Sequence, residues 1–157
     1  MRVDEQGIPV GLVELVDAVY ARLTVKPGRT IVAPGASVAW DDCCAGQLWV
    51  RVIAVAPLYQ GNTNSVKCPT GYDLTLGVGI IRCVETVDDR GRAPSAAKIT
   101  ADGHRGFRDM RELADVLQDY QHRDALTTRL GSWTPSGPDG GCAGGEWTMT
   151  LRTGADL

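Results

Sequence analysis

Two long strand-like runs follow each other with no helical stretch between them, and this restricts the fold more than any other feature of the chain. Gln47 to Ala56 is a run of β-branched and aromatic residues broken only by Arg51 and closed by Pro57. Such a run predicts a central strand covered on both faces. Leu74 to Val87 forms the second run, with Leu74, Leu76, Val78, Ile80 and Val84 on one face. Gly77 and Gly79 fall on its other face, where they leave room for a bulge or a close backbone approach. A third strand is expected near the C-terminus, where Trp147, Met149 and Leu151 alternate with Glu146, Thr148, Thr150 and Arg152. Strands consecutive in sequence favour antiparallel or mixed pairing, with helices packed on one face. The expected class is α+β.

The helices are placed by period. In residues 11–23, Leu12, Leu15, Val16, Val19 and Leu23 recur at helical spacing, and Pro27-Gly28 stops the run. Residues 30–40 are β-like but interrupted at Pro34-Gly35, with Ala36, Val38 and Trp40 sharing a face. A long helix over about 95–121 starts from Ser95 as N-cap, with Ile99, Phe107, Met110, Leu113, Ala114, Leu117 and Tyr120 as its stripe. Gly103 and Gly106 loosen its first half, and a short helical piece is expected at 122–129. Two irregular loops complete the single domain expected over residues 1–157, one near 58–72 and one near 131–145. The second holds six of the 19 glycines. The expected core joins Trp49, Val50, Val52, Ile53, Leu113, Leu117, Trp147 and Met149.

Composition limits the function classes. With 16 Lys and Arg against 19 Asp and Glu, the net charge of −3 is a poor basis for wrapping nucleic acid. No apolar stretch approaches the roughly 18–20 residues of a membrane helix. Met1 to Gln6 lacks a basic region leading into an apolar run, so no signal peptide is expected. The five cysteines (Cys43, Cys44, Cys68, Cys83, Cys142) include no C-x-x-C pair. They read as small packing residues; the alternative is a disulfide formed after release from the cell, joining Cys43 or Cys44 to Cys142. His104 and His122 would stand about 27 Å apart on one helix, too far for a shared site. No phosphate-cradling loop, nucleophile elbow, dinucleotide fingerprint or zinc-protease helix is present. Asp41-Asp42 and Asp88-Asp89 read first as turn or cap residues. The four tryptophans suit core or subunit-interface packing better than base stacking. The chain reads as a non-enzyme without cofactor or metal.

Three segments carry a family resemblance. Val38-Ala39-Trp40-Asp41-Asp42-Cys43-Cys44-Ala45-Gly46-Gln47-Leu48-Trp49-Val50-Arg51 resembles a stretch found in head-to-tail connector proteins of long-tailed phages of actinobacteria. So do the run from Gly131 to Trp147, with its Pro138-Asp139-Gly140-Gly141-Cys142 core, and the helix start Ala93-Pro94-Ser95-Ala96-Ala97. Together they cover about a quarter of the chain. Among neck components, adaptors are mainly helical and stoppers are small β-barrels. The element order here is instead similar to that of the lambda-like tail terminators, α+β proteins that form a six-fold ring on the tail tube. The resemblance implies a virion protein of the neck, made in the host cytoplasm, that ends tube growth and docks the tail to the head. Its partners would be further copies of itself, the tail tube protein and a connector or stopper protein. Another connector role, or a non-viral cytosolic binding module, is the alternative. No catalytic residue is implied.

A ring through which a genome passes should not grip phosphates, because each Lys or Arg contact adds salt-dependent affinity. Asp41, Asp42, Asp88 and Asp89 are therefore candidates for an acidic channel wall, with turn-capping as the bland reading of each. Gly61, Asn62 and Asn64 in the first irregular loop, and Trp133 and Pro138 in the second, are candidates for contacts with neighbouring subunits or the tube, because long loops in compact domains tend to be functional.

Overall fold

The structure, a computed structural model, describes residues 10–35, 37–40, 43–59, 68–123 and 128–154. Its elements are α1 (Val10–Arg22), β1 (Arg29–Pro34), β2 (Gln47–Leu58), β3 (Gly71–Cys83), α2 (Ala96–Arg123), β4 (Thr128–Asp139) and β5 (Cys142–Gly154). One five-stranded sheet has the order β1-β2-β3-β5-β4. All its neighbours are antiparallel except β1 and β2, which run parallel. The sheet is mixed and the class is α+β, as the consecutive strands require.

Both helices lie on one face. Leu12, Leu15, Val16, Val19 and Leu23 from α1 meet Leu48, Val50, Leu74, Leu76, Val78, Ile80 and Met149 from the sheet, with Leu113, Val116 and Leu117 from α2 closing the cluster. The end of α1 is capped by Lys26, whose Nζ donates to the carbonyls of Tyr20 at 2.6 Å and Ala21 at 2.7 Å. A cation there satisfies carbonyls left over by the last turn and complements the helix dipole.

Five expectations need correction. The central strand is β3, not β2: β2 is buried on both faces only over Gln47–Val50, and Ala54–Pro57 is exposed. A bulge at Ile53 separates these halves and leaves that residue outside the core. Trp49 belongs to a second cluster on the opposite face, with Val38, Cys43, Ile81 and Cys142; Val52 and Trp147 only edge the main one. The segment 131–145 is not an irregular loop. Most of it is paired in β4 and β5, joined at Gly140-Gly141, whose positive φ values of 55° and 79° suit a tight hairpin turn. Its glycines record close packing: a Cβ on Gly144 would lie 1.9 Å from the carbonyl oxygen of Ile80. The stripe of α2 is buried only in its second half, since Ile99 is 53% and Phe107 68% exposed. The helix itself runs to Arg123, so no separate piece begins at 122; residues 124–127 lie outside the described residues, and Thr128 is already strand.

Four of the five cysteines are not merely packing residues. Cys43 is bonded to Cys142 and Cys44 to Cys83, with Cα separations of 5.8 and 4.3 Å, while Cys68 is free and exposed. The first of these pairings was the alternative reading; the second had no expectation behind it. The Cys43–Cys142 bridge spans 99 positions, and a loop of that size is worth about 4.7 kcal/mol in the chain-entropy picture.

Candidate docking groove

The front half of α2 stands off the sheet. Trp147 marks where docking begins, because its indole Nε1 donates to the carbonyl of Met110 at 2.9 Å. Behind that point the helix is buried, and ahead of it Gly103 and Gly106 offer no side chain to fill the gap. A Cβ added at either would meet nothing within 4 Å. The result is a groove of about 340 Å³ between α2 and the ends of β3, β4 and β5. Ile80, Val84, Ile99, Trp133, Pro135 and Pro138 supply its apolar walls. Trp133 tilts at 57° against Trp147, ring centres 5.9 Å apart, which fixes that wall.

Charge is confined to the rim and is paired. Arg82, on β3, holds the buried Asp109 of α2 through Nε at 2.5 Å and Nη2 at 3.0 Å, and Nη2 also donates to the Val25 carbonyl at 2.7 Å. This bidentate pair ties the helix, the central strand and the α1–β1 turn together where the groove begins. At the far end Asp102 accepts from the Glu85 backbone N at 2.9 Å and pairs with Arg105, while Lys98 reaches Glu85 at 3.0 Å. The Glu85 N–H, and then Arg105, hold the Asp102 carboxyl below the usual carboxylate range. Apolar walls with satisfied charges at the rim describe a surface that takes up apolar side chains.

Among the described residues, no helix covers the opposite face of the sheet. Glu146 on β5 accepts from Trp49 Nε1 at 2.6 Å and from Arg51 Nε at 2.7 Å and Nη2 at 2.6 Å. The carboxylate lies over Gly77 and the indole over Gly79, where any Cβ would come within 2.5 Å of those groups. The two glycines thus make room for side chains, where a bulge or a close backbone approach is the expectation. The Glu146 hydrogen bonds hold the Arg51 guanidinium more firmly charged than usual.

Of the expected interface residues that the structure describes, Trp133 and Pro138 share the groove. Asp88 closes the turn before α2, accepting from the backbone N–H groups of Arg90 and Arg92, each at 2.9 Å, and from Arg92 Nε at 2.9 Å. These bonds, the Arg92 N–H first, hold its carboxyl below the ordinary range. That is the capping role, and exposed Asp89 is its neighbour in the same turn. Asp41, Asp42, Gly61, Asn62 and Asn64 lie outside the described residues. His104 is exposed on α2, and among the described residues no group of three or more His, Cys, Asp or Glu is placed to hold a metal. No described helix is long and apolar enough to cross a membrane. Ile99 and the two helix glycines escaped notice as a site; the signal was glycine within an amphipathic stripe. No family model and no curated protein matches the chain.

Proposed function

We propose that this chain is a structural protein of the phage neck, a tail terminator that forms a ring on the tail tube and joins it to the head. The observation that carries the reading is the architecture. An N-terminal helix, three strands, a long helix and a terminal hairpin build a mixed sheet with both helices on one face. That is the α+β arrangement implied by the resemblance to lambda-like terminators, and it is unlike the mainly helical adaptors and the β-barrel stoppers. One surface supports an assembly role. The front of α2 presents exposed Ile99 at an apolar groove, and Phe107 is exposed on the same half of the helix. The tail tube protein and a connector or stopper are the partners, and DNA passes through the lumen without specific binding. Quantitative mass spectrometry of purified virions tests this: about six copies per particle are expected of a closed ring, and absence from virions overturns it.

The groove favours a second reading, a cytosolic module that binds an apolar ligand or peptide. Such a module would be found free in the infected cell and missing from purified particles.

A further inference from the structure

Four cysteines meet at one corner of the sheet. Cys83 ends β3 and Cys142 begins β5, and the two are direct register partners. The Val84 N–H donates to the Gly141 carbonyl at 2.8 Å, so Cys83 and Cys142 form a non-hydrogen-bonded pair, the kind with the closer side chains. Cys43 and Cys44 reach this pair from the segment entering β2. Being consecutive, they diverge. Cys43, 4% exposed, turns inward to Cys142, 6% exposed. Cys44 is exposed and bonds to half-buried Cys83.

We propose that the Cys44–Cys83 bridge is a redox latch and the Cys43–Cys142 bridge a permanent staple. Exchange requires an attacking thiolate to reach a disulfide sulfur, and only the outer bridge has an exposed cysteine. A small dithiol opens it as follows. One thiolate attacks a sulfur of the bridge, the S–S bond breaks, and the departing cysteine thiolate takes a proton. The second thiol of the reagent then displaces the other cysteine, so two electrons pass to the protein and the reagent leaves as a cyclic disulfide. A disulfide oxidant reverses the sequence and closes the latch.

The latch acts on a particular contact. Cys44 leads directly into Ala45 and Gly46, whose carbonyls accept from the Gly28 N–H at 2.6 and 3.1 Å. The closed bridge therefore fixes the segment that holds Gly28 to the end of β3 by a covalent bond, while the α1–β1 turn itself hangs on that segment by the Gly28 hydrogen bonds. With the latch open, the segment stays at the end of β3 through the hydrogen bond from the Cys83 N–H to the Cys43 carbonyl at 3.1 Å, and the staple keeps the fold closed. The inference does not rest on the neck reading, because it concerns the accessibility of two bridges and nothing about a partner.

The test uses the full chain, oxidised and folded, titrated with dithiothreitol, quenched with iodoacetamide and mapped by peptide mass spectrometry. Cys44 and Cys83 should gain label at reductant concentrations at least tenfold below those needed for Cys43 and Cys142, and denaturant should remove that difference. Hydrogen exchange at Gly28 and at residues 44–46 should speed up in step with the first labelling. The C44S/C83S variant should show that faster exchange without reductant and no further change with it. Simultaneous opening of both bridges, opening of the inner one first, or migration of a bridge to Cys83–Cys142 would each overturn the proposal. So would reactive thiols at Cys43, Cys44, Cys83 and Cys142, in addition to the free Cys68, in the air-oxidised protein.

Discussion

Leu117→Ala and Phe107→Ala probe the half-docked helix, because both residues lie on the stripe of α2 and the structure separates their fates. Leu117 is fully buried against the sheet, whereas Phe107 is 68% exposed. Truncating Leu117 removes about three carbons' worth of burial, roughly 2.4 kcal/mol at ~0.8 kcal/mol per methylene. A residual cavity raises the total into the range of about 2–5 kcal/mol. For a chain of this size that lowers the melting temperature by roughly 2–4 °C per kcal/mol. Phe107→Ala should stay within about 0.5 kcal/mol, as exposed sites do. Urea denaturation followed by circular dichroism, with both disulfides intact, measures the two values. An unchanged slope would show that the difference is one of stability. Equal costs for the two variants would refute the docking boundary at Met110, and a cost for Leu117→Ala below about 0.5 kcal/mol would show that the buried face is misassigned.

Three further outcomes follow from the same geometry. Gly79→Ala places a Cβ 2.3 Å from the Trp49 ring and should cost about 1–3 kcal/mol through overpacking, with a shifted tryptophan emission spectrum as the readout. Asp88 has its carboxyl held below the ordinary value of about 4, first by the Arg92 N–H and then by the Arg92 side chain. Its contribution to the turn is therefore complete above that value and lost as pH falls through the lowered one. Asp88→Asn should flatten the acid-side rise in amide exchange of Arg90 and Arg92; an unchanged profile would dissociate the turn from this carboxylate. The assembled protein should bind duplex DNA weakly and with a shallow salt dependence, since neither the net charge of −3 nor the rim of paired charges supplies a run of free cations. A steep fall in affinity between low and physiological salt would contradict the non-gripping lumen.

Much of the fold could be read from residue patterns, because each buried face repeats its own period. Leu12, Leu15, Val16, Val19 and Leu23 occupy one side of α1, and Trp147, Met149 and Leu151 share the core side of β5. What escaped reading was non-local. Glycine in the segment from 131 to 145 has the chemistry of a loop, yet Gly144 and Gly145 serve tight packing within a sheet, and only the partner strand distinguishes the two. The end of burial along α2 has no sign in its stripe, since Ile99 and Phe107 are as apolar as Leu113; it depends on where the sheet stops. The Cys44–Cys83 bridge was likewise invisible, because pairing depends on which strand ends meet. Gly77 and Gly79 were legible as open space on one face of a long strand, but what fills it is a pair of side chains, Glu146 and Trp49, where a bulge or a close backbone approach is the expectation. The groove drew no notice because its signal, Gly103 and Gly106 in an amphipathic helix, also reads as simple helix weakening.

Electron microscopy of lysates from a phage deleted for this chain tests the central claim most directly. A terminator's absence predicts DNA-filled heads separate from tails, with tubes of irregular and excessive length, and recovery of normal particles when the chain is supplied in trans. Normal virions with tails of ordinary length from the deletion would contradict it.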